Sequence, residues 1–154
     1  MGLDQYLYQK KYIGGSWAEN KEDEIVVVKR GGGETKIKIA DIEAIDVEVA
    51  YWRKNYAIND FFLDKCGNPE EDNCVYMLVR HEDVVELRDI LADILSKKTI
   101  REKFDTASKR LPTYDLEEYF ESYLTDFNRS LNVLNKLINS KDFYDHDLYY
   151  YIWY

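Results

Sequence analysis

Two aromatic residues followed directly by two cations form the group Tyr51-Trp52-Arg53-Lys54. Arginine and lysine beside aromatic rings are suited to binding an anion, because the cations supply charge and the rings supply a flat apolar surface. The same grouping is also typical of a helix edge, where long cationic side chains cover apolar surface. These four residues are therefore candidate binding residues, with a role in packing as the alternative.

A second group of cations lies in residues 97–110, which we expect to form a basic loop. Six cations in this segment are opposed by two carboxylates. A basic loop on an acidic protein is suited to collecting a phosphate or a carboxylate, which makes Lys97, Lys98 and Arg101 further candidate binding residues. The favoured interpretation is structural, namely that these cations neutralise acidic helices nearby.

The residue types that carry catalysis are scattered through unrelated elements. His81, His146 and Asp4 form no recognisable nucleophile–base arrangement, so we predict no catalytic residue and no enzymatic activity. Cys66 and Cys74 flank a turn-rich segment, and we expect free thiols because nothing marks the chain as secreted. With neither CxxC nor HExxH spacing, we predict no metal site and no cofactor.

The net charge of −9 argues against broad electrostatic binding to nucleic acid or to an anionic membrane. The chain has no apolar run of transmembrane length and its first residues do not resemble a signal peptide, so we expect a cytoplasmic protein. Fourteen tyrosines and three tryptophans supply rigid amphipathic contact area, which suits binding surfaces. The favoured alternative is that the tyrosines fill strand positions.

The candidate binding group lies at the centre of residues 41–64, which we predict to form a long amphipathic helix with Asp41 as its N-cap. A buried face is indicated by apolar residues at steps of three and four: Ile42, Ile45, Val49, Trp52 and Tyr56. On such a helix Arg53 and Lys54 would lie beside the buried face, with Lys54 the more exposed of the two.

The remaining segments predict an α+β domain that spans residues 1–154. Alternating or β-branched patterns predict strands at residues 3–13, 24–30, 35–39 and 74–79, and an almost wholly apolar and aromatic run predicts a last strand at residues 147–154. The continuous Ile-Val run of the second strand indicates burial on both sides or a place near the sheet centre. Further helices are predicted at residues 83–96 and 115–139, and a polar loop at residues 17–23. We therefore expect a mainly antiparallel sheet of about five strands with three helices packed on one face.

Three stretches together resemble a family of small bacteriophage and prophage proteins. They are residues 1–7 (MGLDQYL), the group Tyr51-Trp52-Arg53-Lys54 with Ala57-Ile58, and Leu111-Pro112-Thr113; the aromatic C-terminal strand is also similar. This chain has Asn59 where the family commonly carries a histidine, and Tyr114-Asp115-Leu116 where the family often has a stretch rich in Gly and Phe. The resemblance implies a viral accessory protein that acts in the host cytoplasm, and it implies no catalytic mechanism.

Two functions fit these observations. The first is a non-enzymatic phage accessory protein, for host takeover or counter-defence, which binds and blocks a host protein such as a nucleic-acid-binding enzyme. The alternative is a binding protein that captures an anionic nucleotide signal, with aromatic rings stacking the base and Arg53, Lys54 and residues 97–110 holding the phosphates. A deep pocket beside Trp52 would favour capture, and a flat acidic face would favour blocking.

Overall fold

The computed structural model describes residues 2–12, 25–67 and 74–153. The chain divides into two units, one made of Met1–Gln9 with Glu48–Tyr154 and the other of Lys10–Val47. The expected loop at residues 17–23 lies outside the described residues, as does most of the expected turn after Cys66. The single domain inferred from chain length stays a prediction.

The described elements confirm the α+β class. In chain order they are β1 (Asp4–Tyr12), β2 (Ile25–Arg30), β3 (Gly33–Lys38), β4 (Ala44–Arg53), α1 (Tyr56–Cys66), β5 (Val75–Val79), α2 (His81–Ser96), α3 (Ile100–Arg110), α4 (Phe120–Ile138) and β6 (Asp147–Trp153). The described part of the chain thus has six strands in two sheets and four α-helices, rather than one sheet with three helices.

Four strands form the larger sheet, in the order β4, β1, β6, β5. β5 and β6 pair antiparallel, with Val75 opposite Ile152. The predicted C-terminal strand is confirmed, and it lies inside the sheet between β1 and β5. Side chains alternate along β1 and β6, so that residues such as Leu7 and Tyr150 are buried on one face while other tyrosines occupy the opposite face.

The unit Lys10–Val47 contains a hairpin, in which β2 pairs antiparallel with β3 from Ile25 opposite Lys38 onwards. Its turn uses Gly31 and Gly32 at φ values of 58° and 81°, a left-handed conformation that glycine adopts without steric cost. The prediction that β2 is buried on both sides is wrong, because Ile25 and Val27 are exposed. Two strands cover little of their own surface, so alternate side chains face solvent.

The predicted helix over residues 41–64 is wrong in its first half. Ala44–Arg53 forms a strand, and the helix is limited to Tyr56–Cys66. Residues 45–49 alternate β-branched and acidic side chains, which is the period-two pattern that favours a strand. The same apolar residues also satisfy steps of three and four, so the two periods compete over this segment. Pairing with β1 decides the competition in favour of the strand.

Capping residues set where two of the helices begin. Asn55, rather than the predicted Asp41, is the N-cap of α1, and its side chain accepts a hydrogen bond from the Ile58 N–H.

The expectation of a basic loop at residues 97–110 is wrong, because most of that segment is helix α3. Thr99 and Glu102 form a capping box at its start, with each side chain accepting from the backbone N–H of the other residue.

The helices and one face of the larger sheet enclose the core. α2, which confirms the predicted helix at residues 83–96, packs against α3 and α4. The helix predicted at residues 115–139 starts later, because residues 114–119 form turns. The largest fully buried side chains are Trp52, Tyr150, Phe62, Phe127 and Phe143. Across the described residues, no helix has the length and apolarity that crossing a membrane requires.

Candidate functional site

Strand β4 places the candidate binding residues on opposite faces of the sheet. The Trp52 side chain is only 1% exposed, and its indole N–H donates to Ser130 Oγ at 2.7 Å. Tyr51 and Arg53 point the other way, because neighbouring strand residues alternate between faces. The predicted placement of Arg53 beside a buried helical stripe is therefore wrong. Trp52 is part of the core and supports the strand, whereas Tyr51 and Arg53 face solvent.

Lys54 connects β4 to α1 in a left-handed backbone conformation, with φ of 55°. A residue with a Cβ is strained in this region. The Lys54 N–H donates to the Leu3 carbonyl oxygen at 2.7 Å, which fixes the turn. Gly2 lies against the same side chains, since a Cβ added there would be 3.2 Å from Lys54 Cε and 3.6 Å from Arg53 Nε. The N-terminal segment therefore packs directly against both cations.

A buried pair of amides joins β1 to the start of α1. Gln5 Nε2 donates to the Asn55 carbonyl oxygen at 2.8 Å, and the Asn55 N–H donates to Gln5 Oε1 at 3.2 Å. Asn55 Nδ2 also donates to Asp126 Oδ2 at 3.2 Å, which adds α4 to the network. Burying a polar group costs free energy unless the group is hydrogen-bonded, so this network favours one arrangement of β1, α1 and α4. Lys54 is thus presented on a rigid support.

Asp4 connects the outward side chains of β4 to β1. The Tyr51 hydroxyl donates to Asp4 Oδ1 at 2.6 Å, and this hydrogen bond is the main reason that the pKa of Tyr51 is raised. Arg53 Nε lies 4.0 Å from the same oxygen, and the Arg53 side chain is 67% exposed. An exposed ion pair at that distance contributes little. The Arg53 guanidinium therefore keeps most of its donor capacity for another anion.

Tyrosines from α1 and from the segment leading into α4 stand close to these cations. The rings of Tyr56 and Tyr114 are 5.1 Å apart, and the Tyr114 ring is 81% exposed. A hydrogen bond with Tyr56, reinforced by partial desolvation, raises the pKa of Tyr114 to about 12. The Tyr123 hydroxyl donates to Asp115 Oδ1 at 2.7 Å, and burial together with this hydrogen bond raises the pKa of Tyr123. Both phenols are therefore neutral at pH 7.

The cations and tyrosines line one pocket of about 490 Å³, which we call the Arg53–Lys54 pocket. Two cations, four tyrosines, two carboxylates and a serine form its lining: Arg53, Lys54, Tyr56, Tyr114, Asp115, Tyr119, Ser122, Tyr123 and Asp126. The volume is in the range of small-ligand sites. The pocket lies beside the candidate binding group and uses two of its four members, since neither Tyr51 nor Trp52 lines it.

The two carboxylates of the pocket are already engaged by other side chains. Asp115 accepts the hydrogen bond from Tyr123, and Asp126 accepts from Asn55 and from Arg129 Nη2 at 3.3 Å. Lys54, by contrast, forms no side-chain hydrogen bond or ion pair with the described residues. The pocket therefore carries two cations and two carboxylates, and its cations have fewer internal hydrogen-bond partners than its carboxylates.

The other predicted cations, Lys97, Lys98 and Arg101, do not line the Arg53–Lys54 pocket. Lys97 Nζ pairs with Asp93 Oδ1 at 2.7 Å, and Arg101 Nε pairs with Asp105 Oδ1 at 3.1 Å. Both pairs are four residues apart, one at the end of α2 and one within α3, a spacing that brings side chains together. Two of the three cations thus pair with carboxylates of their own segment, and none of the three lines the pocket with Arg53 and Lys54.

Sequence reasoning missed the aromatic half of the pocket. Tyr119 and Tyr123 are four residues apart, a spacing that signals one shared helical face, and Tyr114 directly follows Leu111-Pro112-Thr113. Neither signal shows that these rings would meet Arg53 and Lys54. The missing information is tertiary, because the site is assembled from the end of β4, the start of α1, the segment that leads into α4 and the first turns of α4.

Of the residues noted for their resemblance to phage proteins, Arg53 and Lys54 line this pocket. Gly2 and Leu3 contact Lys54, and Tyr114 stands next to the Leu111-Pro112-Thr113 stretch. Asn59, which stands where a histidine is common, is buried and accepts a hydrogen bond from the Tyr150 hydroxyl at 3.0 Å. No family model matches this chain, and no significant similarity was found to a curated protein or to a solved structure.

Proposed function

We propose that this chain is a non-catalytic binding protein that captures a small anionic ligand carrying an aromatic ring, of the nucleotide class, in the Arg53–Lys54 pocket. The observation that carries the proposal is the convergence of two lightly engaged cations and a set of tyrosines around one cavity of about 490 Å³. Cations without strong internal partners offer charge-assisted hydrogen bonds to a phosphate. Exposed aromatic rings offer stacking surfaces to a base.

The two halves of such a ligand have separate partners in the pocket. Arg53 and Lys54 would bind the phosphate, since one guanidinium and one ammonium together present several donors to its oxygens. Tyr114 would stack against the base, because its ring is exposed and is held in place by Tyr56. Asp115 accepts a hydrogen bond from Tyr123 and Asp126 accepts one from Asn55, and these donors partly offset the repulsion between the two carboxylates and a bound anion.

The titratable groups of the pocket suit binding more than catalysis. Tyr114 and Tyr123 have raised pKa values, so at neutral pH both phenols keep their protons and can donate hydrogen bonds. The carboxylates accept hydrogen bonds from Tyr123, Asn55 and Arg129. A protein that holds its ligand unchanged needs no more than this, which supports sequestration as the activity.

The resemblance to phage and prophage proteins suggests the setting for this activity. A viral accessory protein in the host cytoplasm would benefit from sequestering a nucleotide signal of the host's defence. Blocking of a host protein, the first function suggested by the sequence, requires a surface of protein size instead of a pocket. We place capture of a ligand first because the Arg53–Lys54 pocket is concave and carries its cations beside aromatic rings.

Isothermal titration of the purified protein with AMP, cyclic AMP, adenosine and inorganic phosphate tests the proposal. We expect a nucleotide to bind more tightly than adenosine or phosphate alone, because each of these retains only half of the contacts. The double variant Arg53→Ala with Lys54→Ala should weaken nucleotide binding by about tenfold or more, since charged hydrogen bonds contribute about 1.5–3 kcal/mol each. Nucleotides released from protein purified out of host cells and identified by mass spectrometry would then name the natural ligand.

The matched control is the double variant Lys97→Ala with Lys98→Ala, which removes the same amount of charge outside the pocket. It should bind like the unmodified protein, and both double variants should retain their melting temperature, because exposed charges usually contribute within about 0.5 kcal/mol. Equal binding by the Arg53/Lys54 variant, or an equal loss in both double variants, would reject the pocket as the site. Equal affinity for adenosine and AMP would reject an anionic ligand.

A further inference from the structure

The face of the larger sheet opposite the core carries a continuous set of tyrosines. Every strand contributes at least one ring: Tyr51 from β4, Tyr6 and Tyr8 from β1, Tyr151 from β6 and Tyr76 from β5. We call these five residues the tyrosine face. They alternate along their strands with buried residues such as Trp52 and Tyr150, so they lie on the side of the sheet away from the core.

The rings of the tyrosine face contact one another from one edge of the sheet to the other. Ring centroids are 5.1 Å apart between Tyr51 and Tyr6, 6.0 Å between Tyr6 and Tyr151, and 4.6 Å between Tyr151 and Tyr76. Tyr8 lies 5.7 Å from Tyr6 and 6.0 Å from Tyr76. These are the separations of favourable aromatic pairs, which restrict the motion of each ring. The face is thus an ordered surface instead of a set of mobile side chains.

Exposure grows towards the β5 edge of this surface. The side chains of Tyr76 and Leu78 are 55% and 60% exposed, and Trp153 at the end of β6 is also exposed. Monomeric proteins rarely leave apolar side chains grouped in this way unless the surface binds something. Tyrosine and tryptophan are enriched at protein interfaces, because they give a large contact area at a low cost in side-chain entropy.

The charges beside the tyrosine face indicate what it binds. Asp4 accepts the Tyr51 hydrogen bond, and the carboxylates of Asp4 and Glu48 both lie close enough to raise the pKa of Tyr6, after the larger effect of burial. Arg53 Nε lies 4.0 Å from Asp4 Oδ1, a distance at which the ion pair is weak. Aromatic ring faces attract cations, and arginine in particular stacks on them. A negatively charged chain favours a positively charged partner.

We propose that the tyrosine face docks an arginine-rich segment of a partner protein. Guanidinium groups would stack on the rings of the β5 and β6 side, and the carboxylate of Asp4 would pair with a further cation at the β4 side. This surface is separate from ligand capture in the Arg53–Lys54 pocket and does not depend on it. A partner bound here would be held by contacts spread over the sheet rather than by insertion into a cavity.

Nuclear magnetic resonance of protein with ¹³C-labelled tyrosine rings tests the proposal, with a short peptide of alternating arginine and glycine as the probe. Titration should shift the resonances of Tyr76 and Tyr151, and it should do so less as salt is added. A peptide with glutamate in place of arginine should leave them unchanged. Tyr76→Ala should weaken binding of the arginine peptide about fivefold, the change expected for the loss of one exposed cation–π contact.

Tyr144→Ala is the matched control, because Tyr144 is also an exposed tyrosine but lies in the turn Phe143–Asp145 before β6. Its affinity for the arginine peptide should stay within about twofold of the unmodified protein. The proposal is overturned if the arginine peptide does not bind, if the glutamate peptide binds equally, or if both tyrosine variants lose affinity alike. It is also overturned if oligothymidylate alone shifts the resonances of Tyr76 and Tyr151, which would make a nucleic acid the occupant. It is overturned as well if dilution shifts the same resonances and so reveals a second copy as the occupant.

Discussion

Replacing Lys54 separates what its backbone conformation contributes from what its charge contributes. Lys54 has a φ of 55°, where a Cβ is crowded, and its ammonium lines the Arg53–Lys54 pocket. Lys54→Ala removes the ammonium and keeps the Cβ, whereas Lys54→Gly removes both. Each variant retains the backbone N–H that donates to the Leu3 carbonyl oxygen at 2.7 Å. The difference between the two variants therefore reports the effect of the Cβ, in the folded turn and in the unfolded chain.

The size of that difference follows from two opposing effects. A left-handed backbone costs a residue with a Cβ roughly 1–2 kcal/mol, a cost that glycine does not bear. Glycine also gives the unfolded chain more freedom, which costs about 0.4–1 kcal/mol. We therefore expect Lys54→Gly to have a free energy of unfolding about 0.5–1 kcal/mol higher than that of Lys54→Ala. For a chain of this size the melting temperature should differ by about 1–4 °C.

Urea unfolding followed by circular dichroism measures the difference, and Arg53 supplies the control. Arg53 belongs to strand β4 and has no positive φ, so Arg53→Gly should be about 0.5–1 kcal/mol less stable than Arg53→Ala, the opposite order. Both Lys54 variants should lose nucleotide affinity to the same extent, because neither has the ammonium. If Lys54→Gly were no more stable than Lys54→Ala, the strain at Lys54 would be refuted. If Lys54→Gly bound better than Lys54→Ala, the side chain's role in binding would need revision.

The remaining predictions concern the core, the thiols and one phenol. Trp52→Ala should lower the free energy of unfolding by about 3–5 kcal/mol. Ser130→Ala should lower it by about 1–3 kcal/mol, because the indole N–H of Trp52 then has no acceptor. In a Trp52→Phe background Ser130→Ala should cost less, and an equal cost in both backgrounds would contradict the hydrogen bond. A disulfide-exchange reagent at pH 8 should modify the exposed Cys74 before Cys66, because burial raises the pKa of the Cys66 thiol to about 11. A Cys74→Ser variant that still reacted fast would contradict this order. Tyr114 should ionise near pH 12 instead of 10 in ¹³C-tyrosine spectra, with its resonance identified by Tyr114→Phe. The pKa of Tyr114 is higher in the folded than in the unfolded chain, so the stability that protonated Tyr114 supplies is complete below pH 10 and is lost as the pH rises through 12. Ionisation of Tyr114 near pH 10 would refute its hydrogen bond with Tyr56.

Local pattern was sufficient for most of the elements. β3 and α2 each show one clear period, β1 alternates in part, and β6 is almost wholly apolar and aromatic, so each of these segments favours one backbone conformation. Residues 41–64 show two periods at once, and propensity alone does not choose between them. Pairing with β1 chooses the strand, because it satisfies backbone groups along a neighbouring strand and buries Trp52 at the same time.

The basic segment shows a similar limit. The excess of cations in residues 97–110 is visible in the sequence. That Thr99 and Glu102 cap α3 and that Lys97 forms an ion pair with Asp93 is seen only in the structure. Exposed cations are free to bind a ligand only when nearby carboxylates do not already hold them. Which carboxylates are near depends on helix orientation, and that is a property of packing.

From the sequence alone, Arg53 and Lys54 were identifiable as adjacent cations beside aromatic residues. The α+β class followed from the order in which strand-like and helix-like patterns of apolar residues occur along the chain. The tertiary structure decided what surrounds them. Tyr114 and Tyr123 approach the pocket from a distant part of the chain, and the alternation of β4 sends Trp52 into the core while it turns Arg53 outward. Short-range preference sets which face of an element is buried, but only packing between elements determines which side chains share a cavity.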